Sequence, residues 1–457
     1  MSFSIKYEQH LRTYSVSQYW EGNDGPWSSF VLQVGNKPQE VRVIPSTASS
    51  STWVIYENPG CNNVPVDDCA ASRGKTFQPN SSSTHGSVSL QGSIYELGVD
   101  ENLLGRTVNG DYGYDTVTLG YQDGGGPTIQ QSVIAGVGDT HFTWLGVLGM
   151  NPRPVNFSTD PGTLHKSFVQ LLKDQSNISS LSWAYTVGAK YKAKPVFGSL
   201  VFGGYDSSRF EKPVKTDPDL TFPFYADVER DLQIGITSIT TTNTTHNASP
   251  ATLLSEGIYA MIDSTMPQLW LPEAVCAQFE SAFGLQWDSD TELYKLNKIQ
   301  HDRLLANNPS VTMTISPYLN TSSANQSVEI TFPYAAFDLN VSWPFGDGPY
   351  KNESAHYFPL KKAKSASQYT LGRVFLQEAY VIADYERQNF SVWPCKWDDS
   401  TTTEKIVAIG PKAESGEAQG DGRSARPSAG VIAGAAVGAV ATVSIFSLLI
   451  WRYLRSR

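Results

Sequence analysis

Two eleven-residue stretches, one in each half of the chain, decide its interpretation: residues 44–54 read IPSTASSSTWV and residues 261–271 read MIDSTMPQLWL. Aligned without a gap, they place Ser46 opposite Asp263, and a tryptophan falls near the end of each stretch. Self-similarity of this kind indicates a repeated structural unit. The two stretches therefore predict equivalent loops in two halves of one fold.

A second pair of matching segments supports this duplication. Val147-Leu148-Gly149 follows the first stretch at nearly the same distance as Thr370-Leu371-Gly372 follows the second. We therefore predict two lobes, residues 18–195 and 196–397, after an N-terminal extension of residues 1–17. A ligand site is expected in the cleft between two such lobes.

The composition of the 457 residues favours a β-rich extracellular protein. Hydrophobic residues make up 40% and aromatic residues 12%, which is enough for a packed core. Charged residues are only 17% and the net charge is -10. Nucleic-acid binding needs a basic surface, and the sequence before its last few residues has no basic cluster, so we exclude that class of partner.

Short runs of β-branched and aromatic residues, separated by Gly, Pro, Asn and Asp, predict a mostly-β fold. The runs taken as strands are SFVLQV, EVRVI, STWVIY, TVTLGY, QSVIAGV, SLVFGG and VEITF. Two segments have helical periodicity instead. In the first, Leu164 begins the apolar face, and in the second, Pro272 occupies the first helical position and Val275, Phe279 and Phe283 share one face.

The C-terminal region predicts a membrane anchor. Residues 398–428 are polar and lack periodicity, which indicates a flexible stalk. Residues 429–451 are apolar and long enough to cross a bilayer as a transmembrane helix, and the arginines in 452–457 indicate a cytoplasmic tail. A glycosylphosphatidylinositol signal would end in its apolar tail, so a true span is preferred. The GxxxG spacing would allow a dimer of helices through three glycines: Gly430, Gly434 and Gly438.

The N-terminus conflicts with this topology because residues 1–20 contain no apolar signal segment. Either the true N-terminus is missing, or the chain is tail-anchored with a cytosolic bulk. N-x-S/T sequons favour the first option, and hence a single-pass membrane protein with an extracellular or lumenal N-terminal domain. The predicted glycosylation sites are Asn80, Asn156, Asn177, Asn243, Asn247, Asn320, Asn325, Asn340, Asn352 and Asn389.

The four cysteines also favour an oxidising compartment. Four cysteines allow three pairings, of which we favour Cys61–Cys69 with Cys276–Cys395. The seven histidines are scattered singly, without the spacing of a zinc site. We therefore predict no metal and no cofactor.

Several segments, in order, resemble the pepsin-like aspartic peptidases over about residues 20–397. Residues 34–54 and 259–272 are similar to the strands and loops around the two catalytic Asp-Thr-Gly motifs of that family. Residues 198–206 resemble the start of its second lobe, and residues 369–393 resemble its closing strands. The resemblance implies a bilobal fold, and the stalk and span look like those of membrane-anchored fungal members.

The first catalytic position departs from the family. The resemblance implies two aspartates that share a proton, one activating water and the other acting on the peptide carbonyl. Here Asp263 is retained, but Ser46 stands at the other position, and a hydroxyl cannot act as the general base. Thr47 and Ser264 match the residues that brace the two loops. The glycines of the two motifs are Ala48 and Thr265, which implies altered loop geometry.

The family's flap is expected near residues 102–115. Its usual tyrosine has no clear counterpart, because Leu103 is near the expected place while Tyr95 and Tyr112 are out of register. This departure weakens the case for a lid that orients substrate.

Three functions remain open from the sequence. The preferred one is a membrane-anchored pseudoprotease that binds peptide or a surface partner in its cleft. The second is an acid endopeptidase with residual or unconventional activity, in which Asp263 works with another carboxylate or a water network. The third is an inert structural surface glycoprotein.

Overall fold

The computed structural model shows a mostly-β chain, as predicted. It describes residues 12–14, 16–88, 94–96, 104–105, 107–156, 164–242, 250–320, 324–344, 354–397 and 403–412. The strands of the first half are β1 Arg12–Thr13, β2 Val16–Glu21, β3 Trp27–Val34, β4 Gln39–Ser46, β5 Thr52–Ile55, β6 Gly86–Ser87, β7 Ile94–Glu96, β8 Asn109–Leu119, β9 Thr128–Val137, β10 Gly146–Gly149, β11 Val155–Asn156, β12 Leu164–His165 and β13 Ser182–Ala189.

The second half continues with seventeen further strands among the described residues. They are β14 Val196–Phe202, β15 Gly204–Asp206, β16 Phe222–Pro223, β17 Gln233–Thr242, β18 Ala251–Thr252, β19 Ile258–Ile262, β20 Leu269–Pro272, β21 Tyr294–Lys295, β22 Ser310–Ser316, β23 Val328–Pro333, β24 Leu339–Val341, β25 Ala355–Phe358, β26 Leu360–Ala363, β27 Thr370–Leu371, β28 Ala379–Asp384, β29 Asn389–Pro394 and β30 Ile406–Ala408. All seven runs predicted as strands are confirmed.

The helices are short. They are α1 Glu57–Gly60, α2 Cys69–Ser72, α3 Phe168–Asp174, α4 Glu273–Phe283, α5 Lys298–Asn307, α6 Tyr334–Phe337 and α7 Arg373–Leu376, with 3₁₀ turns at Pro79–Ser81, Ala324–Gln326 and Ala366–Gln368. Helix α4 begins after Pro272 and ends at Gly284, whose φ is 69°. Its predicted apolar face is confirmed, since Val275, Phe279 and Phe283 are all buried.

Three large sheets organise residues 12–412. The first half forms a nine-stranded sheet in the order β2-β3-β4-β10-β5-β9-β8-β6, with β7 also on β8. The second half forms an eight-stranded sheet in the order β23-β22-β17-β19-β27-β20-β26, with β18 on β17. A six-stranded sheet, β1-β14-β13-β28-β29-β16, contains strands from both halves and joins the two lobes.

The predicted duplication is visible in the strand register. In the first lobe, β10 runs parallel to β4 with Leu148 opposite Pro45, and antiparallel to β5 with Val147 opposite Trp53. In the second lobe, β27 makes the same two pairings, with Leu371 opposite Ile262 on β19 and Thr370 opposite Trp270 on β20. The residues aligned in the sequence therefore occupy equivalent positions.

The two repeated glycines are explained by close backbone contacts. A Cβ atom on Gly149 would lie 2.6 Å from the carbonyl oxygen of Ser51. A Cβ atom on Gly372 would lie 2.4 Å from the carbonyl oxygens of Met266 and Gln268. Each glycine thus allows a strand end to pack directly against the loop that carries Ser46 or Asp263.

Ordered strands extend beyond the predicted lobe limits. Residues 12–17, predicted as an extension, supply β1 and the start of β2, and β30, predicted as part of the stalk, pairs with β15. The predicted border at 195–196 falls between β13 and β14, which pair with each other, so it remains a prediction. Leu164 was wrongly placed on a helix: it lies in β12, and α3 begins at Phe168 after the cap residue Ser167.

The described residues contain no helix that is long and apolar enough to cross a membrane. The predicted span of residues 429–451, with Gly430, Gly434 and Gly438, and the predicted tail of residues 452–457 lie outside the described residues.

One of the two predicted disulfides is present. Cys61 and Cys69 are bonded, with Cα atoms 5.7 Å apart. The Cys276–Cys395 pair was wrong, because both are free, buried thiols. Cys276 lies on α4, with its sulfur 3.6 Å from the carbonyl oxygen of Leu271, whereas Cys395 follows β29 and contacts Thr186 at 3.4 Å.

Candidate functional site

The loops that carry Ser46 and Asp263 begin at the ends of equivalent strands. Ser46 is the last residue of β4, and Asp263 directly follows β19. Both side chains are fully buried. Because β10 and β27 fix the register of these strand ends, both positions are set by the central strands of the two lobes.

Thr47 and Ser264 link the two loops by reciprocal hydrogen bonds, as the resemblance implied. The Thr47 amide donates to the Ser264 hydroxyl oxygen at 2.9 Å, and the Ser264 amide donates to the Thr47 hydroxyl oxygen at 3.0 Å. The two hydroxyls then donate to the carbonyl oxygens of Ile262, at 3.1 Å, and Pro45, at 2.7 Å. This buried network fixes the two loops relative to each other.

The Ser46 hydroxyl and the Asp263 carboxylate both accept hydrogen bonds from backbone amides of their own loops. Ser46 Oγ accepts hydrogen bonds from the amides of Ala48, at 3.3 Å, and Ser49, at 2.8 Å. Asp263 Oδ1 accepts from the Thr265 amide at 2.9 Å and also from the Thr265 hydroxyl. Neither Ala48 nor Thr265 has a positive φ, so these loops turn without the backbone conformation that favours glycine.

This arrangement supplies one carboxylate where the family's chemistry needs two. A pair of nearby carboxylates divides into one acid and one base because their charges interact. A neutral hydroxyl at Ser46 can donate or accept a hydrogen bond, but it cannot supply that interaction. The two braced loops therefore carry one carboxylate, at Asp263, and one hydroxyl, at Ser46.

Apolar side chains cover the second loop. Leu104, in the region predicted as the flap, is buried and packs with Met266 and Trp270. Leu103, which stands near the place expected for the flap tyrosine, lies outside the described residues. Tyr112 is a buried residue of β8, and its hydroxyl donates to Ser51 Oγ at 3.4 Å. Trp53, at 2% exposure, and Trp270, at 5%, are core residues.

A buried arginine behind the second loop was not singled out from the sequence. Arg373 Nη1 donates to the carbonyl oxygens of Ser264 and Thr265, at 2.9 Å each. Its Nη2 lies 2.7 Å from Asp24 Oδ2, and its guanidinium lies 4.9 Å from the centre of the Trp27 ring. The sequence does contain a feature that could have identified Arg373: it is a charged residue within the otherwise apolar run TLGRVFL, directly after the repeated glycine.

A groove beside the covered loop has aromatic and charged walls. We define the groove by Leu104, Met266, Trp270, Trp287, Lys361 and Lys362. Lys361 Nζ lies 4.7 Å from the centre of the Trp270 ring, and Lys362 Nζ lies 5.7 Å from that of Trp287. Such amphipathic walls suit a peptide, which has both apolar side chains and polar backbone groups.

The predicted glycosylation sites differ in exposure. Asn80, Asn320, Asn325 and Asn340 are exposed, Asn177 and Asn389 are half-buried, and Asn156 lies in β11. Asn243, Asn247 and Asn352 lie outside the described residues. Their modification remains a prediction.

Comparisons with known proteins agree with this architecture. The family model described as "Eukaryotic aspartyl protease" matches residues 30–394. Candidapepsin of Candida tropicalis is 23% identical over 382 residues, covering 83% of this chain and 82% of its own length. Barrierpepsin of Saccharomyces cerevisiae is 24% identical over 399 residues, covering 83% of this chain and 62% of its own.

A solved structure shares the fold. The aspartic proteinase from Irpex lacteus superposes with a TM-score of 0.53 at 17% identity, over 86% of this chain and all of that one. This likeness confirms the predicted bilobal pepsin-like fold. Together with the family match over most of the chain, it leads to one conclusion: the chain belongs to the eukaryotic aspartyl protease family.

Proposed function

We propose that this chain is a pseudoprotease that binds peptide, or an extended segment of a surface partner, without cleaving it. The observation that carries the proposal is the serine at position 46, where the family has an acid. The buried Ser46 hydroxyl accepts hydrogen bonds from the amides of its loop. Loss of one member of a jointly acting catalytic unit typically costs several orders of magnitude in rate. The intact bracing by Thr47 and Ser264 supports a retained scaffold rather than a collapsed one.

The groove supports peptide as the ligand. Trp287 is half-buried and offers apolar surface, while Lys361 and Lys362 are held at the groove by ion pairs with Glu292, at 2.7 Å, and Glu280, at 2.9 Å. Side chains fixed in this way lose little further conformational freedom when a ligand binds. The groove also lies beside Leu104, so the occupant need not displace the apolar cover of the second loop.

The cellular setting is part of the same proposal. A span at residues 429–451 would tether the protein, with the folded unit and its glycans on the extracellular or lumenal side. A dimer through the glycine-spaced face of that span would present two grooves together.

A second candidate, an unconventional acid endopeptidase, is favoured by one observation. Asp263 is retained at the end of its strand, and its Oδ1 is held by the Thr265 amide. An enzyme of this kind would need Asp263 to orient the attacking water with help from another group.

Incubation with a mixed peptide library from about pH 3 to 7 separates the two candidates. The full-length chain and its Asp263→Asn variant are compared by mass spectrometry of the peptides. The proposal predicts no cleavage by either protein. Cleavage by the wild type that disappears in Asp263→Asn would replace the proposal with the endopeptidase.

Binding is tested with the same library, by retention of peptides on the immobilised full-length chain. We expect Lys361→Glu to lose the retained peptides, because it reverses a charge in the groove. Lys298→Glu, the matched change on exposed helix α5, should retain them. Equal retention by both variants would favour an inert structural glycoprotein.

A further inference from the structure

Two histidines and one aspartate meet in the second lobe, although they are distant in sequence. His301 lies on α5, Asp338 follows α6, and His356 lies on β25. One potential ligand atom from each residue lies within 4.8 Å of the other two. The fold therefore assembles a cluster that the scattered histidines of the sequence did not reveal.

The carboxylate of Asp338 lies within hydrogen-bond distance of both imidazoles. His301 Nε2 is 2.9 Å from Asp338 Oδ1 and 3.0 Å from Oδ2, and His356 Nδ1 is 3.1 Å from Oδ1. The imidazole rings are stacked, with their centres 3.7 Å apart. Zinc–nitrogen bonds of about 2.0–2.1 Å at tetrahedral angles place neighbouring ligand atoms about 3.3 Å apart, so each hydrogen-bonded pair would have to open by a few tenths of an ångström to hold an ion.

The two histidines lie on a helix and a strand, and Asp338 directly follows a helix. Helix α5 follows the cap residue Asn297, whose side chain accepts a hydrogen bond from the Gln300 amide at 2.9 Å. Leu304, on the same helix, is fully buried and anchors it to the core. The carbonyl oxygen of His356 accepts the Leu296 amide at 2.8 Å. Ligands on helices and strands are positioned more precisely than ligands on loops.

We propose that His301, Asp338 and His356 bind a divalent first-row transition metal ion, with zinc as the preferred ion. Two imidazole nitrogens and one carboxylate oxygen form a ligand set that proteins use for zinc and related ions, and that magnesium and calcium do not favour. The side chains are 12%, 20% and 40% exposed for His301, Asp338 and His356, respectively. Solvent can therefore deliver the ion and occupy its fourth position.

The bound ion would link three parts of the folded chain: helix α5, the segment that follows α6, and strand β25. An ion that binds the folded chain more tightly than the unfolded chain raises the free energy of unfolding. The three ligands come from elements other than the strands that carry Ser46 and Asp263. The proposal therefore stands independently of whether the groove binds or cleaves peptide.

The test is a titration of zinc into the metal-free full-length chain, followed by calorimetry and by competition with a chromophoric chelator. We expect one saturable site that weakens at least about tenfold in His356→Ala and in Asp338→Asn. Zinc should also raise the Tm of the wild type more than that of either variant. Cobalt should give the visible absorption of a four-coordinate ion in the wild type only.

His141→Ala is the matched control, because His141 lies 3.9 Å from the carboxylate of Asp139 and outside the cluster. This variant should bind zinc as the wild type does. No saturable site in the wild type, or equal affinity in the wild type and His356→Ala, would overturn the proposal. Circular dichroism establishes that each variant is folded before its affinity is compared.

Discussion

Arg373 and Asp24 form an ion pair between positions 349 residues apart, with Nη2 2.7 Å from Oδ2. Their side chains are 5% and 12% exposed. The same guanidinium holds the carbonyl oxygens of Ser264 and Thr265, and the other carboxylate oxygen of Asp24 accepts the Trp27 indole at 2.6 Å. The pair therefore connects the segment before β3 with the loop that carries Asp263.

Replacement of Arg373 should destabilise the fold strongly. Arg373→Met leaves Asp24 buried without its counter-charge, and loss of one member of a buried pair costs about 3–5 kcal/mol. Urea unfolding of the full-length chain measures the change. The double variant Asp24→Asn/Arg373→Met should lose less free energy of unfolding than the sum of the losses in the two single variants. As a control, Lys298→Ala breaks an exposed ion pair with Asp302 and should change little; equal effects of Arg373→Met and this control would contradict the assignment.

Ser46→Asp should introduce peptide cleavage at acid pH. The new carboxylate can keep the acceptor role of Ser46 Oγ toward Ser49, and it would stand in a loop that is already braced to that of Asp263. We expect product at least about tenfold above the background seen with the wild type, short of full activity because Leu104 packs on the second loop. Peptide mass spectrometry measures the rise. Ser46→Asn, of similar size but uncharged, should remain inactive.

A folded Ser46→Asp variant without activity would show that the missing acid is not the main obstacle. The apolar contact of Leu104 with Met266 and Trp270 would then be the next candidate. Asp263→Asn in the Ser46→Asp background should abolish any cleavage that appears.

The repeated signals of the sequence predicted the fold well because backbone packing requires them. Gly149 and Gly372 leave no room for a Cβ atom, and Thr47 and Ser264 need hydroxyls for their reciprocal bonds. Leu164 misled the helix prediction because its spacing from Phe168 matched a helical face. Ser167 caps α3 by accepting the Gln170 amide at 3.2 Å, so the helix begins after Leu164.

The rest of the site could not be predicted because it depends on contacts between distant residues. Arg373 contacts Asp24 only when the two lobes are joined. His301, Asp338 and His356 come close together only when α5, α6 and β25 pack against one another. Singly scattered histidines carry no signal of such a meeting. The wrong Cys276–Cys395 pairing has the same origin, since spacing along the chain does not show which structural layer each thiol enters.

Asp231 should make stability fall as the pH rises. Burial raises the pKa of its carboxyl from the ordinary value of 3.8 to about 7, against the lowering effects of the nearby Tyr385 hydroxyl and the charge of Arg153. A raised pKa means that the folded state binds the proton more tightly than the unfolded state. The stabilisation is fully present below the unfolded pKa and is lost as the pH rises through about 7, by at most about 1.4 kcal/mol per pH unit.

Asp231→Asn should remove this dependence, because an amide resembles the protonated acid and can keep a contact with Asn151, which lies 3.3 Å from Asp231 Oδ2. Thermal unfolding of the full-length chain between about pH 4 and 8 provides the measurement. The Tm advantage of the variant over the wild type should grow with pH. Asp219→Asn, at an exposed position, should show no such trend. Parallel curves for Asp231→Asn and the wild type would contradict the assignment.

Cys276 and Cys395 should behave as two protected thiols. Burial raises the pKa of Cys276 to about 12 and also raises that of Cys395, so little reactive thiolate forms near neutral pH. Without reductant, we expect slow alkylation of the native full-length chain and rapid alkylation of two cysteines in denaturant. Peptide mapping should find Cys61 linked to Cys69. A peptide linking Cys276 to Cys395 would contradict this, because it would require their separate contacts at Leu271 and Thr186 to break.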